Sequence, residues 1–172
     1  MAGVPERLVI HRSDPAAIGV CQGAKTAGGS VTPISVDGVA GVPVDATSVV
    51  LNITVQSPET GGYLTVFPCG SPIPYASNAN FRAGETIPAS VTAAIGVDGR
   101  VCIYTSASAQ LLVDLNGAFS PTMGGGKLLG FTPARLLDTR GEGGKLVGGQ
   151  TQVVQVAGVG GVPLDATSVV LN

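Results

Sequence analysis

The chain is written in short apolar runs that alternate with polar residues and are cut by turn formers. Ser48-Val-Val-Leu-Asn-Ile-Thr-Val-Gln56 is the cleanest: Val49, Leu51, Ile53 and Val55 fall on one face, Ser48, Asn52, Thr54 and Gln56 on the other, and only Val50 breaks the pattern. Strict alternation of this kind predicts a half-buried strand. Gly61-Gly62 turns the chain into a second strand, Tyr63-Leu-Thr-Val-Phe67. Val97-Asp-Gly-Arg100 predicts a hairpin between 90–97 and 100–105, because Asp-Gly tolerates the positive φ angles of a type I′ turn. Gln110-Leu-Leu-Val-Asp-Leu-Asn116 gives a last strand closed by Gly117, and further strands fall at 7–11, 32–36 and 78–82. No segment sustains a helical period. About eight short strands with regular turns predict an all-β fold, an antiparallel β-sandwich of jelly-roll or Greek-key type.

The pattern also repeats. Gly41-Val-Pro-Val-Asp-Ala-Thr-Ser-Val-Val-Leu-Asn52 returns as Gly161-Val-Pro-Leu-Asp-Ala-Thr-Ser-Val-Val-Leu-Asn172, 120 residues later with one conservative change. Upstream, 34–40 aligns with 154–160 at the same offset and 5–12 with 133–140 at an offset of 128, so copy one has a longer connection between Arg12 and Val31. The expected organisation is a complete β-sandwich repeat over 1–120, a Gly-rich linker over 121–130 and the N-terminal third of a second repeat over 131–172.

Composition narrows the function. Only 12% of residues are charged while 26 are Gly and 12 Pro, a turn-rich and β-like balance. A net charge of −2 without a basic run argues against nucleic acid and anionic membrane surfaces as partners. No apolar stretch approaches the roughly 20 residues of a membrane-spanning helix. Cys69 ends one strand context and Cys102 opens another, which suggests a disulfide between neighbouring strands and hence an oxidising compartment; the alternative gives Cys21, which has no counterpart in copy two, as partner to one of them. No C-x-x-C occurs and His11 is the sole histidine, so no metal site and no cofactor are expected.

The strongest ligand-binding candidate is the loop 70–82, which gathers Tyr75, Asn78, Asn80 and Arg82, a stacking ring with amide and guanidinium donors suited to carbohydrate. The competing reading is a Pro-stiffened loop crossing the end of a sandwich. Asp138 and Arg140, two apart on a short strand, suit either an anion or a structural pair. Asp45 and Asp165 stand in Pro-x-Asp-Ala turns, where Asp commonly bonds nearby backbone N–H groups; Asp37-Gly, Asp98-Gly and Asn116-Gly are turn chemistry too. Asp98, Asp114 and Glu85 are the only carboxylates worth weighing for glycoside hydrolysis, and spacing alone gives them no mechanism. No catalytic residue is assigned.

Phe131-Thr-Pro-Ala-Arg-Leu-Leu-Asp-Thr-Arg140, the Gly-Val-Pro-x-Asp-Ala-x-x-Val-Val-Leu-Asn block, Gly62-Tyr-Leu-Thr-Val-Phe-Pro-Cys-Gly70, Val101-Cys-Ile-Tyr-Thr-Ser-Ala107 and Leu112-Val-Asp-Leu-Asn-Gly-Ala-Phe119, in that set, resemble a β-rich tandem repeat of large secreted, cell-surface proteins of Gram-positive bacteria, chiefly actinobacteria. The resemblance implies an extracellular, secreted or cell-surface module and no activity of its own. Copy one departs from it where Leu-Asp-Thr-Arg becomes Val-Ile-His-Arg, so that Asp138 is matched by Ile10. The leading functional expectation is a non-enzymatic structural or adhesive repeat. The alternative is a carbohydrate-binding module for cell-wall or environmental glycan. Because 5–52 and 133–172 carry the same early strands while 53–120 occurs once, self-association by strand exchange or head-to-tail contact is expected.

Overall fold

The computed structural model describes the backbone of residues 6–10 and 20–21, and residues 24–122, 136–139 and 144–169 in full. Two compact units result, Gly3–Gly124 and Gly125–Asn172. Among the described residues there is no helix, and so none long and apolar enough to cross a membrane.

The first unit holds nine strands: β1 (Glu6–Ile10), β2 (Val20–Cys21), β3 (Ser30–Ser35), β4 (Ser48–Gln56), β5 (Gly62–Pro68), β6 (Ala79–Phe81), β7 (Thr86–Ala94), β8 (Arg100–Thr105) and β9 (Gln110–Phe119). They form a five-stranded sheet, ordered β2-β1-β9-β4-β7, and a four-stranded sheet, ordered β3-β8-β5-β6. All pairings are antiparallel except β1 with β2, where Val9 faces Val20 and Ile10 faces Cys21 in parallel. The short second strand, carrying Cys21, had no alternating signature to announce it.

The inner faces of both sheets feed one hydrophobic cluster. Strand β4 contributes Val49, Leu51, Ile53 and Val55, each 0% exposed, the face that alternation assigned to them. Leu111 and Val113 of β9 lie beside them, and Leu64 of β5 with Val101 and Ile103 of β8 close the cluster from the other sheet. Burying each of these side chains stabilises the fold by about 1.5–3 kcal/mol. The chain changes sheets at every connection except β1–β2 and β5–β6. Parts of the core that touch are therefore far apart in sequence.

Two sequence expectations are corrected. Strands β7 and β8 are not a hairpin: β7 pairs along its whole length with β4, and β8 lies between β3 and β5 in the other sheet. The tight turn between them is real, with Gly99 N–H donating to Gly96 O at 2.9 Å and Gly96 N–H to Arg100 O at 2.8 Å. Only Gly99, at φ +73°, takes a positive φ, whereas a type I′ turn would require one at Asp98 too. Val91 and Ala93 of β7 and Val101 and Ile103 of β8 face the same core, the first pair from the five-stranded sheet and the second from the four-stranded one. Likewise Asn116-Gly117 does not end β9, which runs on to Phe119. Val50 faces Gly117 while Leu51 faces Leu115, so Asn116 is the extra residue of a β-bulge.

Cys69, just beyond β5, and Cys102 of β8 are joined by a disulfide with their Cα atoms 5.0 Å apart. The bridge packs with Phe67 and Tyr104 in a small cluster separate from the main core, on the outer face of the four-stranded sheet.

In the second unit the described residues form turns and extended segments without strand pairing. Its turns reproduce those of the first. Main-chain bonds from Ser30 to Ala27 (3.2 Å), Val39 to Val36 (3.3 Å), Val42 to Val39 (2.9 Å) and Ala46 to Pro43 (3.0 Å) recur 120 residues later. Their counterparts run from Gln150 to Val147 (2.9 Å), Val159 to Val156 (3.2 Å), Val162 to Val159 (3.0 Å) and Ala166 to Pro163 (3.2 Å). The left-handed φ angles recur as well: +67°, +53° and +80° at Gly38, Ala40 and Gly41 against +79°, +59° and +90° at Gly158, Gly160 and Gly161.

Candidate functional site

The loop between β5 and β6 is stiffened by Pro72 and Pro74 and lies over the outer face of β5. Thr65 is only 1% exposed beneath it, and its hydroxyl donates to Ala76 O at 2.5 Å. Asn78 is used by the fold. Its Oδ1 accepts from Val66 N–H at 2.7 Å and its own N–H donates to Leu64 O at 2.9 Å, prolonging the β5–β6 ladder ahead of the first residue of β6. Such side-chain mimicry of a strand is a common service of Asn near turns.

Asn80 and Arg82 come together. With Phe81 and Glu85 they line a shallow, open depression at the β6 edge of the four-stranded sheet. The Asn80 Oδ1 accepts from the Ser77 hydroxyl at 3.2 Å, and a Glu85 carboxylate oxygen accepts from Arg82 N–H at 2.9 Å. Tyr75 and Asn78 are not among the lining residues. Tyr75 projects fully into solvent from the loop.

Sequence reading overlooked the aromatic pair on the same outer face. The Tyr63 and Tyr104 rings lie 5.7 Å apart between centroids and tilt by 48°, and Tyr63, 40% exposed, faces Asn80 across the β5–β6 ladder. The Tyr104 phenol beside it pushes the Tyr63 hydroxyl above its usual pKa, partial burial adding to the effect. Both rings were legible in principle. Tyr63 alternates with inward Leu64, and Tyr104 follows inward Ile103, which sends each tyrosine outward.

The carboxylates have structural partners. Asp98 accepts from the Arg100 side chain at 2.7 Å and from Arg100 N–H at 3.2 Å. The Arg100 hydrogen bond keeps its carboxyl below the ordinary range, so Asp98 stays ionised and is unsuited to proton donation. Asp45 reaches beyond the expected local turn role, its own backbone N–H adding to the bonds that stabilise its carboxylate. Its Oδ1 accepts from the Ser120 hydroxyl at 2.7 Å and its Oδ2 from the Thr122 hydroxyl, partners 75 and 77 residues away. Thr47 joins it, its N–H and hydroxyl donating to Phe119 O at 2.8 and 3.3 Å. These bonds, Thr122 first and Ser120 second, hold the Asp45 carboxyl below its usual pKa. Asp45 thus ties the end of β9 to the start of β4. Asp138 is half-buried in the second unit, while His11, Arg140 and the Gly-rich stretch 123–126 lie outside the described residues.

No family model, curated protein or solved structure matches the chain. On the outer face lies a tyrosine pair beside amide and guanidinium donors, and at the end of β9 a carboxylate that clasps two hydroxyls.

Proposed function

We propose that the chain is a non-enzymatic structural or adhesive repeat module of an extracellular protein. The carrying observation is the return of four hydrogen-bonded turns, with their left-handed residues, at a displacement of 120 residues. A chain that encodes one local design twice is built for serial repetition. Of the loop candidates Asn78 is engaged in closing a strand, and the turn carboxylates Asp45 and Asp98 are engaged in closing strands and turns. Further support comes from the Cys69–Cys102 bridge, which suits an oxidising compartment, and from the resemblance to secreted actinobacterial repeats. On this reading the two sheets are the layers of a β-sandwich, and their repeated crossings follow the jelly-roll or Greek-key manner. A polypeptide carrying residues 1–120 in two, three and four serial copies tests the proposal. X-ray scattering should show the maximum dimension growing by a constant increment per copy; loss of folding in the array would overturn it.

A second reading, carbohydrate binding, is favoured by the outer-face arrangement of Tyr63, Tyr104, Asn80 and Arg82 rather than by the Tyr75 loop. An exposed ring, Tyr63, backed by the half-buried Tyr104 and facing an amide side chain, suits a sugar face and its hydroxyls. On a glycan array, binding abolished by Tyr63→Ala and retained by Tyr75→Ala would install this reading. An array without signal would dismiss it.

A further inference from the structure

In the first unit, segment 36–49 is a docking element with a known occupant. Val36, Val42 and Val49 are buried in the core, at 0%, 4% and 0% exposure. The end of β9 lies along its C-terminal part: Ser48 faces Phe119 and Val49 faces Ala118 in the ladder, Thr47 holds Phe119 O, and Asp45 holds Ser120 and Thr122. The residues that make these bonds, Asp45, Thr47 and Ser48, are repeated as Asp165, Thr167 and Ser168.

Segment 156–169 keeps the turn geometry of 36–46 over its matching part, so the docking element is locally preformed. Its surroundings differ. Val156, Val162 and Val169 are half-buried where their counterparts are sealed, and with Ala166 they line an apolar groove bordered by the Thr167 and Ser168 side of the strand entry. Asp165 and Thr167 are exposed.

We propose that segment 156–169 is a second docking site for the strand end represented by residues 110–122, and that it takes this segment from a second copy of the chain. Val169 and Ser168 then pair with Ala118 and Phe119, Asp165 accepts from the hydroxyls of Ser120 and Thr122, and the valine groove receives the apolar side of the strand. The pairing is β-augmentation, with main-chain bonds giving affinity and the carboxylate–hydroxyl clasp giving register.

Counting sets the stoichiometry. Each chain carries two docking sites and one strand end, so exchange between identical chains fills the Asp165 site only by releasing the Asp45 site of the donor. Intramolecular docking has the higher effective concentration, and exchange among wild-type chains is a minor population. Weakening the Asp45 clasp, or supplying strand ends in excess, directs occupancy to Asp165. The inference deepens the repeat-module reading by naming a partner, and rests on it only for the equivalence of the two sites.

The test uses the full chain and a fluorescent synthetic peptide of residues 110–122, followed by anisotropy. Saturable binding is expected, absent for a scrambled peptide and weakened about tenfold by Asp165→Ala, the scale of a lost charged hydrogen bond. Binding unaffected by Asp165→Ala, or no saturable binding, overturns the proposal. A second measurement needs no peptide. By light scattering at matched concentration, Asp45→Ala should raise the dimer fraction, and Asp45→Ala with Asp165→Ala should return it to the wild-type level. A dimer fraction indifferent to Asp165 would overturn the proposal too. Either failure leaves the serial-array scattering unchanged, so the two readings fail separately.

Discussion

Ala40 holds a φ of +53° in a turn whose repeat places Gly160 at +59°. A side chain at positive φ is strained and glycine is not, although Ala40 also rests its methyl against the core. Strain relief should exceed the loss of a half-buried methyl, so Ala40→Gly is expected to stabilise the first unit by about 0.5 kcal/mol in urea denaturation. Gly99 is the converse. At φ +73°, an added Cβ would stand 2.6 Å from the Asp37 Cβ, and Gly99→Ala should cost about 2 kcal/mol by the same measurement. Asp45 gives a pH signature. Its folded pKa lies below the ordinary carboxylate value of 3.8, so its contribution is complete above that value and fades as pH falls towards the folded pKa. Thermal stability of the wild type should drop more steeply than that of Asp45→Asn below about pH 4, and equal slopes would remove the clasp from the account.

At the scale of elements, β4 is the organising strand, paired on one side with β7 and on the other with β9. Leu51→Ala at its centre should cost about 2–5 kcal/mol, the range for a large buried side chain cut to a methyl. The disulfide closes a separation of 33 residues between β5 and β8. On the chain-entropy model its reduction should lower stability by roughly 3–4 kcal/mol, read as a fall in melting temperature on adding reductant. Cys69→Ser with Cys102→Ser should melt like the reduced protein and show no response to reductant. The ends of β4, β5 and β8 were legible within a residue or so because alternation and flanking glycines are local signals. The partners of β7 and β8 were not, because Asp98-Gly99 specifies a tight turn without specifying which sheet each arm joins. In the candidate site, Asn80 and Arg82 were found from composition, whereas the role of Asn78 depended on Leu64 and Val66 in another strand.

For the whole molecule, the decisive contrast is between two stretches at matching repeat positions, bracketed by the same turns but in different company. Residues 30–35 are β3, laddered to β8, while the described residues 150–155, at the same repeat positions, carry no strand pairing. Native-state hydrogen exchange should therefore find the amides of β4 and β9 among the slowest and those of 150–155 fast, despite the matched turns that bracket them. Strong protection at 150–155 in a monomer would contradict this. The turns agree in both places because each is closed by a bond spanning three residues, and all but the Pro43–Ala46 turn and its copy also by Gly or Ala in a left-handed conformation, information carried within the segment itself. Sequence alone thus determined the β character, the inward face of β4, the turn succession and its repetition. Tertiary structure decided which extended segments become strands, which sheet they enter, where β9 bulges at Asn116, and that Asp45 reaches Ser120 and Thr122 beyond its own turn. The physical reason is separation along the chain: a turn closes on itself, but a strand's hydrogen bonds and buried face are completed by residues dozens of positions away.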